Sequence, residues 1–224
     1  STTAEMCKLI ENTFRDVKIA LANELAKMSE ELGVNCWDVI RMANQHPRVN
    51  ILQPGPGVGG HCIALDPWFL VEKSKNAKLI HQARLNNDSM PEFVMNKIGN
   101  ILGGLDGKTV TLFGVTYKPN IDDVRESPVM HLMDMLKAKS VNVKVCDPHA
   151  GEKVENNFEM YEACKDSDIV VLGVNHDQFK DVDFGKMAEN MRNKVILDTR
   201  NFWNRDEITE AGIEYVLLLS LIHI

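Results

Sequence analysis

The second half of the chain alternates between short apolar runs and stretches with helical spacing, and this alternation constrains the fold more than any other feature. Runs that stay apolar at consecutive positions are typical of strands buried on both faces of a sheet. Strands that alternate with helices form a doubly wound parallel sheet, so we expect an α/β domain over residues 104–224. The apolar runs span residues 110–115, 141–146, 169–174, 195–197 and 215–218.

The first hundred residues carry mostly helical patterns, apart from a proline- and glycine-rich loop at residues 46–67. Apolar side chains recur at helical spacing over residues 4–33 with no proline between them, which predicts one long helix. Residues 35–43 predict a short second helix, and residues 68–101 predict further helical pieces with breaks near Asn76 and at residues 89–91. We therefore expect an all-helical domain over residues 1–103.

Charge and cysteine content exclude several classes of protein. The formal net charge is -7, from 25 basic and 32 acidic residues, and no block of like charge supports a nucleic-acid or membrane partner. The five cysteines form no CxxC pair, which argues against a disulfide framework and against a metal site. These features favour a reducing, cytoplasmic setting. No apolar run approaches the roughly 18 residues that a membrane helix needs.

A glycine-rich loop from Pro54 to Trp68 carries one cysteine, Cys62, four residues before Asp66. Glycines let backbone amides approach a ligand closely and adopt positive φ. A thiol in such a loop can act as a nucleophile, with the carboxylate orienting water or a lysine. A surface turn followed by a buried cysteine fits the spacing equally well, and spacing alone leaves both interpretations open. The other four cysteines lie in helical or strand patterns and are expected in the core.

The long first helix carries a stripe of polar residues. Lys8, Asn12 and Arg15 lie within about 60° of one another on a helix with 100° per residue. A solvated helix face is one interpretation. The other is that a lysine and an asparagine bind one oxygen while the arginine binds an anionic group.

In the second half, candidate side chains follow the apolar runs, where a parallel sheet binds its ligands. Lys118 follows the first run, Arg200 the fourth, and Arg125 precedes Ser127-Pro128, a typical start of a helix. No GxGxxG motif follows the first run, so the standard dinucleotide phosphate loop is missing. We interpret Asp147 as a turn residue.

Taken together, these motifs resemble the UDP-glucose/GDP-mannose dehydrogenase family, over nearly the whole chain to about residue 215. The Gly-Gly-His-Cys version of the loop is most similar to members that oxidise UDP-N-acetyl-D-mannosamine. The matching motifs are residues 4–8 with Asn12 and Arg15, residues 23–24, residues 55–69, residues 117–118 and residues 123–128.

The resemblance implies a role for each candidate residue. Cys62 would trap the C6 aldehyde of the sugar as a thiohemiacetal and then a thioester, Lys8 and Asn12 would stabilise the C6 oxygen, and Asp66 would assist hydrolysis. Arg125 would contact NAD, and His46 and Arg48 would reach across a homodimer. The residues implied in substrate binding are Arg15, His46, Arg48, Gly59, Lys118 and Arg200.

The resemblance also implies an order of domains: an NAD-binding Rossmann domain, a helical dimerisation domain and a Rossmann-like UDP-binding domain. Only the last two match this sequence, so we expect the 224 residues alone to lack dehydrogenase activity. We also expect the tail from about residue 217 not to be native. Two alternatives stay open: a sibling dehydrogenase for UDP-N-acetylglucosamine, UDP-glucose or GDP-mannose, and a non-catalytic nucleotide-sugar binding or dimerisation module.

Overall fold

A computed structural model of the protein describes residues 2–218, which form two compact units. The first unit comprises residues 2–90 and the second Pro91–Leu218. The sequence-based division after residue 103 assigned one more helix to the first domain than this division does. The expectation of a non-native tail falls mostly on residues 219–224, which lie outside the described residues. Among the residues described, no helix is long and apolar enough to cross a membrane.

The first half of the chain is mostly helical, as the sequence predicts, with a loop over residues 44–65. The long helix α1 ends just before Gly33, whose φ of 69° is left-handed. Asn35 then caps α2 because its side-chain oxygen accepts hydrogen bonds from the N–H groups of Trp37 and Asp38. The helices are α1 (Thr2–Leu32), α2 (Cys36–Ala43), α3 (Asp66–Lys73), α4 (Lys78–Asp88) and α5 (Met90–Leu102).

The second half confirms the predicted parallel sheet. Within residues 2–218 the sheet has five strands, all parallel, in the order β2-β1-β3-β4-β5. Each of the first four strands is followed by a helix, as a doubly wound fold requires. The strands are β1 (Thr109–Phe113), β2 (Asn142–Cys146), β3 (Ile169–Leu172), β4 (Val195–Asp198) and β5 (Glu214–Leu217), and the helices are α6 (Pro128–Ala138), α7 (Met160–Cys164), α8 (Phe184–Asn190) and α9 (Arg205–Glu210).

The core of this unit surrounds the three central strands. Every residue of β1, β3 and β4 is buried, whereas the edge strands β2 and β5 also have exposed positions. The ring of Phe113 lies 5.0 Å from that of Phe179, centroid to centroid, and the indole N–H of Trp203 donates to the Phe179 carbonyl at 2.7 Å. The continuous apolar runs in the sequence correspond to these two-sided strands.

The strand order places a crevice between the ends of β1 and β3, because the chain winds in opposite directions from these two strands. Gly114 follows β1 with a φ of 77°, and Gly173 follows β3. A Cβ on Gly114 would lie 2.4 Å from the Val174 carbonyl oxygen, and a Cβ on Gly173 would lie 2.7 Å from the Gly114 oxygen. Only glycines allow the segments after β1 and β3 to approach each other this closely.

We expect Gly114→Ala to lower the free energy of unfolding by about 1–3 kcal/mol more than Gly212→Ala does. Gly212 is a matched control because its φ of 75° is almost the same, while a Cβ added there would meet no described atom within 4 Å. The difference therefore isolates the steric contact from the cost of a left-handed backbone. Urea unfolding of both variants measures it, and equal losses would show that the contact is relieved without cost.

Candidate functional site

The glycine-rich loop ends in a turn that presents Cys62 and Asp66 together. The Cys62 carbonyl accepts hydrogen bonds from the N–H groups of Leu65 at 3.2 Å and Asp66 at 2.9 Å, so the turn leads directly into α3. The Cys62 side chain is exposed, and the interpretation of a turn with a buried cysteine therefore fails. Gly57 and Gly60 have φ values of 133° and 90°, which explains why this loop needs glycine.

Residues from α1 complete this site. The Asn12 side-chain amide donates to an Asp66 carboxylate oxygen at 2.5 Å, which joins the predicted polar stripe to the cysteine turn. Lys8 lies one helical turn before Asn12, exposed, with its Nζ 3.5 Å from Glu11. Arg15 is exposed on the same helix face. The described contacts thus join the Cys62 turn, through Asp66, to Asn12 on α1.

The remaining predicted residues of the first unit lie on exposed or half-buried loops. His46 and Arg48 share one turn after α2, in which the Arg48 N–H donates to the His46 Nδ1 at 3.2 Å. Gly59 is half-buried in the glycine loop. Neither His46 nor Arg48 has a side-chain ion pair with a residue that the structure describes. Both side chains are therefore available to a ligand or to a second protein surface.

The other cysteines divide into two groups. Cys36, Cys146 and Cys164 are buried, as predicted, and burial raises the pKa of Cys164 to about 12. Burial also raises the pKa of the Cys36 and Cys146 thiols, so these groups are poor nucleophiles. Cys7 contradicts the prediction because its side chain is exposed on α1. Its helical position does not lie on the face that packs against the rest of the unit.

A buried polar network that the sequence analysis missed supports the start of the glycine loop. The Gly55 N–H donates to the Asn23 side-chain oxygen at 3.0 Å, and the Asn23 amide donates to the Asn87 side-chain oxygen at 2.9 Å. Asn87 in turn donates to the Asp16 carboxylate at 2.8 Å. Asn23 and Asn87 are almost fully buried, so these bonds replace contacts with water. The network ties the loop to α1 and α4.

An ion pair lies at the centre of this network. The Arg84 guanidinium, which is only 2% exposed, lies 2.5 Å from the Asp16 carboxylate and also contacts Asp88. Burial raises the pKa of Asp16, and the charge and hydrogen bond of Arg84 oppose that shift. In the sequence, the signal for this network was the position of Asp16 and Asn23 on the same side of α1 as Asn12.

In the second unit, Lys118 and Arg200 follow β1 and β4 at the carboxyl edge of the sheet, where the crevice lies. Lys118 is exposed, and the half-buried Arg200 donates from its Nε to the Gly173 carbonyl at 2.8 Å. Burial lowers the pKa of Arg200 to about 10, with the charge of Asp198 opposing the shift. Arg125 lies farther along the same loop as Lys118, where it forms a bidentate ion pair with Asp123.

The loop after β1 does not fit a dinucleotide phosphate. The N–H groups of Val115 and Thr116 donate to the Asp147 carboxylate at 2.6 and 3.1 Å, so they are not free to bind an anion. Burial raises the pKa of Asp147, but hydrogen bonds from His176 and from the backbone outweigh it and bring the value to about 2. Asp147 is therefore a buried, ionised turn residue, in agreement with its interpretation from the sequence.

Comparison with known proteins gives two family matches. Residues 2–89 match the central domain of the UDP-glucose/GDP-mannose dehydrogenase family, and residues 111–205 match the UDP-binding domain of the same family. The UDP-N-acetyl-D-mannosamine dehydrogenase of Methanocaldococcus jannaschii is 52% identical over 219 residues, which cover 96% of this chain and 51% of that protein.

Two further similar proteins agree with this match. The NDP-N-acetyl-D-galactosaminuronic acid dehydrogenase of Ralstonia nicotianae is 44% identical over 213 residues, 92% of this chain and 49% of that protein. The structure of UDP-D-ManNAc dehydrogenase from Pyrococcus horikoshii superposes with a TM-score of 0.86 at 34% identity, over 98% of this chain and 52% of that one. The chain thus spans about half the length of the curated relatives it matches.

We expect Arg84→Met to lower the free energy of unfolding at neutral pH by about 3–5 kcal/mol, because it leaves the Asp16 carboxylate buried without its cation. The folded variant would then bind a proton at Asp16 more tightly than the unfolded chain does. Its deficit relative to the wild type should therefore shrink as the pH falls. Arg41→Met removes an exposed pair with Asp38 and should cost at most about 1 kcal/mol. Thermal unfolding across pH measures both, and a deficit that does not vary with pH would contradict this account.

Proposed function

Because the chain belongs to the UDP-glucose/GDP-mannose dehydrogenase family, we propose that it forms the central and UDP-binding parts of a nucleotide-sugar 6-dehydrogenase. We propose UDP-N-acetyl-D-mannosamine as the substrate and the corresponding uronate as the product, for use in polysaccharide synthesis. One observation carries the proposal of chemistry: the exposed Cys62 shares a turn with Asp66, whose carboxylate is held by Asn12. A binding module would need no such nucleophile.

The side chains of this site suit the oxidation of an alcohol to an acid. The Cys62 thiolate adds to the C6 aldehyde carbonyl, and Lys8 supplies a proton to the oxygen, to which Asn12 also donates a hydrogen bond. The thiohemiacetal would become a thioester by giving up a hydride to the nicotinamide and a proton. In the later hydrolysis, water attacks the thioester carbonyl, Asp66 accepts a proton from the water, and the Cys62 thiolate leaves. A carboxylate that already accepts a bond from Asn12 is oriented for that task before substrate arrives.

NAD is the cofactor that we propose, with Arg125 as a contact. The described residues do not form a phosphate loop for it, since Asp147 occupies the amides that would bind the pyrophosphate. We therefore assign hydride removal to a nicotinamide held by a part of the protein outside this chain. The bidentate pair with Asp123 gives Arg125 a fixed orientation in the loop.

We propose substrate contacts for each unit separately. Lys118 and Arg200 bind the diphosphate at the carboxyl edge of the sheet, where parallel sheets bind nucleotides. Arg15 and Gly59 contact the sugar and its N-acetyl group near the cysteine turn. His46 and Arg48, exposed on one turn, contribute to the site of a partner subunit.

All five cysteines are free thiols, which supports a reducing, cytoplasmic setting.

We expect the whole protein to reduce NAD with UDP-N-acetyl-D-mannosamine, and Cys62→Ser to lower this turnover at least about a thousandfold because serine is a far weaker nucleophile at neutral pH. Cys7→Ser is the matched control, because Cys7 is the other exposed cysteine and has no assigned role. The measurement is NADH formation with a panel of UDP-sugars and GDP-mannose. The 224-residue chain alone should give no turnover.

Each outcome of that panel decides between functions. Higher kcat/KM with another nucleotide sugar would assign the chain to a sibling enzyme of different substrate. The 44% identity to an NDP-N-acetyl-D-galactosaminuronic acid dehydrogenase is the reason for testing this alternative. Full activity of Cys62→Ser would refute the covalent chemistry. No oxidation of any nucleotide sugar by the whole protein would leave a binding or dimerisation module as the better account.

We also propose that the helical unit forms a homodimer through α1. Six large apolar side chains on this helix are exposed to solvent, and at 100° per residue they fall within an arc of about 80°. The stripe adjoins a groove of about 760 Å³ with apolar residues such as Phe69 and Ile80 in its lining. An apolar stripe of this length is typical of a helix covered by a partner. The stripe comprises Met6, Ile10, Phe14, Leu21, Met28 and Leu32.

We expect Leu21→Glu to convert the dimer to a monomer, because it places a charge at the centre of the stripe. Leu79→Glu is the control, since Leu79 is 72% exposed on α4, outside the stripe, and receives the same chemical change. Light scattering on the purified chain should give twice the 25.2 kDa mass for the wild type and the control. A monomeric wild type, or equal masses for both variants, would refute this interface.

A further inference from the structure

His176 is a fully buried histidine that joins the loop after β1 to the end of β3. Its Nε2 lies 3.1 Å from the Asp147 carboxylate and 3.3 Å from the Thr116 hydroxyl. Its Nδ1 accepts a hydrogen bond from the Asn120 backbone N–H at 3.0 Å. Neither the sequence motifs nor the proposed chemistry gives this imidazole a role.

These contacts determine which nitrogen carries the proton. The Asn120 amide can only donate, so Nδ1 must be the unprotonated acceptor. The ring proton then lies on Nε2, facing the ionised Asp147 carboxylate. His176 is therefore a neutral imidazole with a donor on one side and an acceptor on the other. On the Nδ1 side the imidazole holds Asn120, and on the Nε2 side it holds the Asp147 carboxylate, which in turn binds the N–H groups of Val115 and Thr116.

The part of the chain between these contacts contains Lys118. The Thr116 hydroxyl, beside His176, donates to the Lys118 carbonyl at 3.1 Å, and Asn120 is bonded to the imidazole two residues later. Asn120 has a φ of 60°, and its side chain exchanges two hydrogen bonds with Asp177, at 2.8 and 2.9 Å. Lys118 itself is exposed and has no ion pair with a described residue. Its backbone is thus fixed on both sides, and its Nζ lies 5.5 Å from the centroid of the Tyr117 ring.

The groups that surround the imidazole show why a histidine is needed. The ring of His149 lies 4.8 Å from that of His176, centroid to centroid, and Phe179 contacts it edge-on at 5.4 Å. Asp147 faces it from the end of β2, Thr116 and Asn120 from the β1 loop, and Asp177 follows it in sequence. The site therefore requires one flat side chain that donates to a carboxylate and accepts from an amide.

We propose that His176 is a positioning residue for the nucleotide diphosphate site. Its unprotonated Nδ1 accepts the Asn120 hydrogen bond and thereby fixes residues 115–120, the Lys118 loop, in the conformation that binds the phosphates. This inference rests on the proposed function of Lys118. A cation held in place before binding loses less conformational entropy on meeting its anion than one on a mobile loop does. His176 thus contributes to nucleotide affinity without touching the nucleotide.

Two substitutions test the hydrogen bonds of the two ring nitrogens separately. In His176→Asn, the shorter amide places its oxygen near the former Nδ1 and retains the acceptor for Asn120. In His176→Gln, the longer amide reaches the former Nε2 position and retains the donor for Asp147. We expect the dissociation constant for UDP, measured by calorimetry on the purified chain, to rise about tenfold in the glutamine variant, as for loss of one buried hydrogen bond. In the asparagine variant it should rise less than about threefold. Comparable melting temperatures for the two variants would separate this effect from general destabilisation.

Two further measurements do not depend on UDP affinity. In the wild type, the ¹⁵N chemical shifts of His176 should show an unprotonated Nδ1 and a protonated Nε2. Hydrogen exchange at the Asn120 amide should be at least about tenfold faster in the glutamine variant than in the asparagine variant, since only the first loses its acceptor. A protonated Nδ1, equal exchange rates, or equal losses of UDP affinity in both variants would overturn the positioning role.

Lys118→Ala distinguishes failure of this inference from failure of the proposed function. If the wild type binds UDP and Lys118→Ala binds it equally well, the assignment of Lys118 is wrong, and with it the link from His176 to the nucleotide. If Lys118→Ala loses affinity and the two His176 variants behave alike, the nucleotide site stands and the positioning role is refuted. A wild type with no UDP affinity overturns the phosphate part of the inference.

Discussion

The hydrogen bonds of the Asp147 carboxylate are the interactions on which the second unit depends. The carboxylate accepts hydrogen bonds from four backbone N–H groups, two in the loop after β1 and two in the turn after β2, and a fifth from His176 after β3. Three loops that leave neighbouring strands are thus held by one buried charge. A carboxylate with so many donors stays ionised, and removing it would leave several buried donors without partners at once.

In the helical unit, a loop is likewise held by buried polar groups, here through a longer series of hydrogen bonds. There the glycine loop is bonded to Asn23, and the network continues through Asn87 to the Asp16–Arg84 pair. In both units, loops that carry candidate reactive or binding groups are held by buried side-chain hydrogen bonds. Such networks specify one conformation, because a displaced loop would leave buried polar atoms unsatisfied. The exposed groups, Cys62 and Lys118, therefore project from well-supported backbones.

The sequence predicted the elements of this fold because their hydrophobic patterns are strong. The two-sided strands β1, β3 and β4 correspond to continuous apolar runs, and the polar stripe of α1 included Asn12, although its hydrogen bond to Asp66 was not predicted. The supporting residues could not be predicted, because Arg84 and Asn87 are polar residues in a helical pattern, and such residues usually face solvent. Only the three-dimensional path of the chain brings them to Asp16 from 68 and 71 residues away. The prediction for Cys7 was wrong in the opposite direction: this cysteine was expected in the core, and it is exposed on α1.

The N–H groups of Val115 and Thr116, which are bonded to Asp147, also determine what kind of anion this edge of the sheet can bind. In dinucleotide folds a phosphate sits on backbone N–H groups, which are fixed, weakly charged donors that lose little strength in salt. Here a permanent negative charge occupies those donors and would repel a phosphate at the same place. Recognition of a phosphate at this edge would then fall to cationic side chains farther out, whose attraction is screened by dissolved ions. The nucleotide affinity of this unit should therefore depend on ionic strength in a way that backbone-based phosphate sites do not.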